Sequence, residues 1–176
     1  MNTLLIIGAI VVLIIIIGLF MKKSFTVERS IVVERPVAQV FDYVKHICNQ
    51  DQFSPWSMMD PAMKKTYTGT DGTVGFIYAW KSELKKGPGK GEQEIKGIEE
   101  NKRLNLELRF LEPFSSVAPA WFLTEPTTTN STRVTWGIHC EMKFPMNLMG
   151  LFVSFDKVMS KQFDSGLGLL KSNLEN

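Results

Sequence analysis

The chain has 176 residues, 44% of them hydrophobic and 22% charged, with a formal net charge of +2, which suits one domain with a single core and is too little for two sizeable ones. Its 12 Phe, 4 Trp and 3 Tyr exclude a disordered chain, because that many bulky apolar groups offset the entropy lost on ordering. With 2 Cys, a disulfide framework and a cysteine-rich zinc cluster are excluded as well.

The first element is apolar throughout. Residues 2–21 carry no charge, and Leu4 to Met21 is interrupted only by Gly8 and Gly18. At about 1.5 Å of rise per residue this run reaches about 27 Å, close to the roughly 30 Å hydrocarbon thickness of a bilayer. We expect a transmembrane helix, with residues 1–23 as an anchor that meets the membrane through residues 4–21. A cleaved signal peptide would show a basic start, a shorter apolar core and a small-x-small site. This chain starts Met1-Asn2-Thr3 and leaves the run through Lys22 and Lys23, which favours an uncleaved anchor. The two lysines place everything after them on the cytoplasmic side. The expected location is the cell (inner) membrane, single-pass, with a cytoplasmic C-terminal domain. All acidic residues lie beyond residue 23, where they equal the remaining Lys and Arg in number, so that part is formally neutral and a nucleic-acid partner is not expected.

Residues 24–176 show no repeat or long linker and read as one domain. Phe25 to Val33 alternates as a strand, with Phe25, Val27, Ile31 and Val33 on one face and Arg29 among them. Pro36 then starts a short helix whose apolar positions are Val37, Val40, Phe41, Val44 and Ile47. Asn49 to Pro61 has the turn chemistry of a structured loop or a second helical turn. Six strands follow, over Lys64 to Gly69, Val74 to Ser82, Gly91 to Glu99, Arg103 to Phe110, Ala118 to Glu125 and Thr132 to Met142. The clearest is Arg103 to Phe110, where Leu104, Leu106, Leu108 and Phe110 alternate with polar residues and must line an interior. From Leu148 the period changes to three and four, through Phe152, Phe155, Met159, Phe163, Leu167, Leu170 and Leu174, predicting one long amphipathic helix. Gly166 and Gly168 fall on or near its buried side. A curved antiparallel sheet gripping that helix buries the single apolar face of each.

The ordered series Arg29-Ser30-Ile31, Pro36 to Phe41, Ser54-Pro55-Trp56, Asp60 to Met63, Gly75 to Trp80, Gly87 to Gly91, Pro113-Phe114, Thr132 to Trp136 and Phe163 with Gly166-Leu167 and Leu170-Lys171 resembles the START-like or SRPBCC superfamily, in particular its bacterial polyketide cyclase/dehydrase group. The resemblance covers nearly all of residues 24–176. It implies an α+β helix-grip fold, a seven-stranded antiparallel sheet around a long C-terminal helix, and a hydrophobic cavity between them of the kind that holds lipids, sterols or polyketides. It implies no shared reaction, since fold and function separate readily.

Chemistry-bearing motifs are few. The histidines are His46, near a helix end where it suits the carbonyl dipole, and His139, on a strand face opposite Ile138; neither has metal-ligand spacing. Cys48 and Cys140 read as small apolar fillers, and Asp60 before Pro61 as a turn-former. Gly87-Pro-Gly-Lys-Gly91 lies between two strands and reads as a hairpin connection rather than a phosphate loop. No catalytic residue, metal or cofactor is expected.

Cavity candidates are Phe76, Tyr78, Trp80, Leu106, Leu108, Phe122, Trp136, Ile138, Phe152, Phe155 and Met159. Arg29, Glu92 and Glu94 are possible polar cavity groups: Arg29 carries a charge on an apolar strand face, which reads first as a paired arginine at the strand's exposed end and second as a ligand anchor, and the open facing of the Glu92–Glu94 strand lets one of the two enter the cavity. Lys81, Lys85, Lys86 and Lys90 cluster at the hairpin, and Pro145 to Phe152 forms an apolar stretch before the long helix; either suits contact with a membrane surface. The expected partner is a hydrophobic small molecule or lipid, bound without covalent chemistry. Two other readings stay open: a cyclase/dehydrase-type enzyme using the same cavity, and a non-catalytic structural module with a filled core.

Overall fold

The computed structural model describes residues 2–176, with side chains described for residues 6–8 and 12–176. Helix α1 spans Asn2–Phe20 and carries the uncharged run. Leu4, Leu5 and Ala9 to Val11 of the expected span lie outside the residues whose side chains are described. Among the described residues no helix is long and apolar enough to cross a membrane.

After α1 come β1 (Ser24–Val33), α2 (Val37–Lys45), a 3₁₀ turn (Ile47–Gln52), the short α3 (Pro55–Met58), strands β2 (Lys64–Thr68), β3 (Ile77–Lys81), β4 (Lys90–Glu99), β5 (Arg103–Glu112), β6 (Ser116–Thr128) and β7 (Ser131–Glu141), a second 3₁₀ turn (Met146–Leu151) and α4 (Phe155–Glu175). The sheet is antiparallel with order β1-β7-β6-β5-β4-β3-β2: β2 to β7 form a meander, and β1 closes it by pairing with β7. This is the expected α+β helix-grip architecture with seven strands and a C-terminal helix.

Each element follows from local chemistry. In α2, Val40, Phe41 and Val44 recur at helical spacing and are buried. On β5, Leu104 and Leu106 face the interior while Arg103 and Asn105 face out, and this parity fixes the register, since a one-residue slip would exchange the faces. The buried face of α4 is Ser160, Phe163, Gly166, Leu167, Leu170 and Leu174, and it lies chiefly against β1. Gly166 allows the close approach: a Cβ there would meet Trp136 Cζ3 at 2.8 Å and the Phe53 carbonyl oxygen at 3.1 Å.

The structure corrects two element starts and the facing of one glycine. β3 begins at Ile77 rather than Val74, because Gly75 takes φ +89° and Val74 is exposed. The long helix begins at Phe155 rather than near Leu148; Met146–Leu151 is a separate turn, so the three-and-four spacing read across two elements. Gly168 is exposed, and a Cβ there would meet nothing within 4 Å, so of the two glycines Gly166 alone sits on the packed side.

Candidate functional site

One end of the space between sheet and helices is solid. Phe53, Phe122, Trp136 and Phe163 form a continuous aromatic stack there, with Trp136 to Phe163 centroids 4.5 Å apart and Phe122 to Trp136 5.1 Å apart. Behind it α2 contributes Val40, Phe41 and Val44 to the same core.

The other end is hollow. A cavity of about 390 Å³ opens there, its floor made by Tyr78 and Trp80 of β3, Gln93 of β4, Leu106, Leu108 and Phe110 of β5, Ala120 of β6 and Trp136 and Ile138 of β7. Gln50, Ser54, Trp56, Ser57, Met59 and Met63 form one side, and Val158, Met159, Gln162 and Phe163 of α4 another. Lys86, Gly87 and Pro88 of the β3–β4 hairpin complete the rim.

Local hydrogen bonds hold this frame. Ser82 donates through Oγ to Asp60 Oδ2 at 2.6 Å, and Asp60 Oδ1 accepts from the Ala62 N–H at 2.9 Å, so Asp60 forms its turn and also ties the hairpin to the α3 side. Trp80 donates Nε1–H to the Pro88 carbonyl at 3.3 Å, and Gly91 leaves room for its indole, since a Cβ there would meet Trp80 Cζ2 at 2.5 Å. Tyr78 donates its hydroxyl to Asp51 Oδ1 at 2.8 Å, and Lys65 pairs with the same oxygen at 2.8 Å. Burial raises the Tyr78 phenol well above its ordinary value and Asp51 raises it further, so it remains a neutral donor. Gln93 donates Nε2–H to Gln50 Oε1 at 3.0 Å, while Gln50 Nε2 is buried without a partner in the protein.

Of the sequence candidates, Tyr78, Trp80, Leu106, Leu108, Trp136, Ile138 and Met159 come together on the cavity wall. The others do not. Phe76 and Phe122 have the right facing but sit in the filled core, at 2% and 0% exposure. Phe152 is 88% exposed on the loop before α4, and Phe155 stacks on Phe25 with centroids 6.0 Å apart, beside a separate hollow of about 180 Å³ near Lys22 and Asn147.

None of the three charged candidates lines the cavity. Arg29 reaches out to Asp164 of α4 at 3.4 Å. Glu92 and Glu94 point to the opposite face of β4, where Arg109 binds them at 2.6 and 2.7 Å and Glu107 at 2.6 Å. Parity explains it: Gly91, Gln93 and Ile95 face inward, so the glutamates between them cannot. Apart from Lys86 at the rim, the Tyr78 phenol and the Trp80 indole, the polar groups that line the cavity are amides and hydroxyls from residues the alternation did not single out. Trp56 had a visible signal in Ser54-Pro55-Trp56; Gln50 had none, because its facing is set by a 3₁₀ turn.

The cysteines and histidines lie outside the cavity lining. Burial, first of all, pushes the thiols of Cys48 and Cys140 up to about 11, with Asp71 adding to the effect at Cys48. His46 Nδ1 lies 2.8 Å from the Asp42 carbonyl at the end of α2, and His139 Nδ1 lies 2.8 Å from Thr26 Oγ1. Among the described residues no three His, Cys, Asp or Glu side chains are placed to hold a metal ion.

Comparison with solved structures places this architecture. A Thermobifida fusca protein solved by solution NMR aligns with a TM-score of 0.62 at 18% identity, covering 85% of this chain and 92% of its own. Norcoclaurine synthase from Thalictrum flavum, in complex with dopamine and hydroxybenzaldehyde, aligns with a TM-score of 0.62 at 10% identity, over 90% and 91%. The Aha1 dimer from Colwellia psychrerythraea aligns at 0.57 and 14%, over 86% and 96%. At these identities the likeness is one of fold. No curated protein matches the chain. Residues 24–175, from the first strand to the end of α4, match the family described as polyketide cyclase / dehydrase and lipid transport, and the chain belongs to that family.

Proposed function

We propose that this domain binds a hydrophobic small molecule or lipid in the cavity between sheet and α4, without covalent chemistry, while α1 anchors it to the cell (inner) membrane with the domain in the cytoplasm. The observation that carries the reading is the cavity. Its volume of about 390 Å³ falls in the roughly 300–1,000 Å³ range of small-molecule sites, and its wall is mostly aromatic and aliphatic with a few convergent polar groups. A ligand oxygen could accept from Gln50 Nε2 and so satisfy a donor that the protein leaves unpaired. A bound ligand at a neighbour of this fold, norcoclaurine synthase with dopamine and hydroxybenzaldehyde, is in keeping with such a use.

The lining chemistry supports holding over proton transfer. Gln50, Gln93, Ser54, Ser57, Gln162 and the neutral Tyr78 phenol orient a ligand by hydrogen bonds, and Lys86 sits exposed at the rim. For the anchor, the support is an α1 whose described apolar side chains are exposed, Ile6 at 60% and Phe20 at 87% among them, followed by Lys22 and Lys23.

Trp56, Trp80 and Trp136 line the cavity, so a fluorescent ligand is read by energy transfer. Titrating the detergent-solubilised chain with a dansyl-labelled fatty acid should give saturable transfer at one probe per chain, displaced by unlabelled apolar competitors. Absence of saturable transfer across acyl, sterol and aromatic probes refutes the binding reading. Carbonate-resistant membrane association, with the domain shielded from protease in sealed right-side-out vesicles, tests the anchor.

A further inference from the structure

We infer that the exposed apolar stretch before α4 docks on the bilayer beside α1 and holds the mouth of the cavity against lipid. This rests on the reading of α1 as a membrane anchor. Between Leu151 and Val153 the chain exposes three consecutive large apolar side chains, with Leu151 54% exposed, Phe152 88% and Val153 37%. An uninterrupted run of this kind is seldom left to water without a partner.

The turn that carries this stretch is fastened to the last turn of α1. Asn147, itself buried, donates Nδ2–H to the Gly18 carbonyl at 2.6 Å, and a Cβ on Gly18 would meet Phe144 Cδ2 at 2.9 Å, so the glycine makes a seat for the turn. Gly18 lies one helical turn before Lys22, at the depth where a spanning helix passes from acyl chains to headgroups. Whatever is packed on Gly18 is therefore at that depth too. Lys22 and Lys23 beside it suit the anionic headgroups of a cytoplasmic leaflet, so the occupant we assign to the patch is lipid.

The same geometry orients the cavity. Val158, exposed on the first turn of α4 and part of the cavity lining, is six residues from Phe152 and three from the helix start at Phe155, about 5 Å along the helix. The register Ser24 with Glu141 and Val33 with Thr132 sends the other end of the sheet away by about 30 Å. Docking thus puts the mouth near the lipid surface and the β6–β7 turn in water, so an apolar ligand can pass between bilayer and cavity with a short exposed path.

Site-directed spin labelling of the full chain in vesicles of phosphatidylcholine and phosphatidylglycerol tests this. Single cysteines at Ile14, Phe152 and Asn130, in a background with Cys48→Ala and Cys140→Ala, report depth through collision with oxygen and with a nickel chelate. The inference expects Ile14 deep in the acyl region, Phe152 about 5–10 Å inside the headgroup boundary and Asn130 aqueous. A deep Ile14 with an aqueous Phe152 overturns the docking and spares the anchor; an aqueous Ile14 overturns both. Phe152→Trp in the otherwise unchanged chain gives the same answer without removing cysteines: its added emission should be quenched by brominated lipids, and unquenched emission overturns the docking.

Discussion

Gly166 and Gly168 lie two residues apart on α4 yet face opposite demands. At Gly166 a side chain would press on Trp136, which is held between Phe122 and Phe163 and cannot yield, and on the Phe53 carbonyl at 3.1 Å. Overpacking of this kind costs about 1–3 kcal/mol and exceeds the roughly 1 kcal/mol that alanine gains over glycine in a helix. At Gly168 space is open, so only the gain remains. Gly166→Ala should destabilise by about 1–2 kcal/mol, and Gly168→Ala should stabilise by up to about 1 kcal/mol, both read by urea denaturation. Arg109 holds Glu92, Glu94 and Glu107 together on the outer face of the sheet. Hydrogen bonds from Arg109 and then Lys96 lower the Glu94 pKa. A carboxylate lowered on folding contributes stability above its unfolded pKa and loses it as pH falls through the folded value. Arg109→Gln should therefore cost about 1–2 kcal/mol at pH 7, and the gap to the parent should narrow as the pH is lowered from 5 to 3 and the carboxylates are protonated.

The cavity exists because α4 and the α3 segment meet the sheet over only part of its length. Beyond Phe163, the wall is spanned by Met159, Trp56 and Met59 rather than filled from above. A larger side chain on the floor should consume the space without disturbing the frame. Leu108→Trp, at a half-buried floor position of β5, is expected to weaken probe binding at least tenfold while moving the thermal midpoint by no more than a few degrees. That outcome is a calorimetric and energy-transfer measurement on one variant. The floor itself was legible in the sequence, because strand parity sorts side chains between two faces, and Leu106, Leu108, Tyr78, Trp136 and Ile138 followed from it. Parity says nothing about position along the strand, which is why Phe122 and Phe76 faced the right way and landed in the filled end. The amide pair of Gln50 and Gln93 was illegible for another reason: it joins residues 43 apart that meet through a 3₁₀ turn with no periodicity to read. Likewise Phe152 continued the helical spacing on paper, but the chain leaves the 3₁₀ turn there and starts α4 three residues later.

The molecule is a family domain that follows an apolar helix, with its cavity mouth and its exposed apolar turn near the same end. The helix-grip fold explains how a chain this short can both fold and enclose a space: one end of the concave sheet carries the packed aromatic stack that supplies stability, and the other end is relieved of that duty. On the proposed function, the hollow end is occupied in the cell by something apolar. Native mass spectrometry of the full chain released from detergent, run beside Leu108→Trp, tests it most directly. An apolar adduct is expected on the parent at one per chain, lost or strongly reduced in the variant. An adduct carried equally by both, or a bare parent that also fails to take up acyl, sterol or aromatic probes, would contradict it.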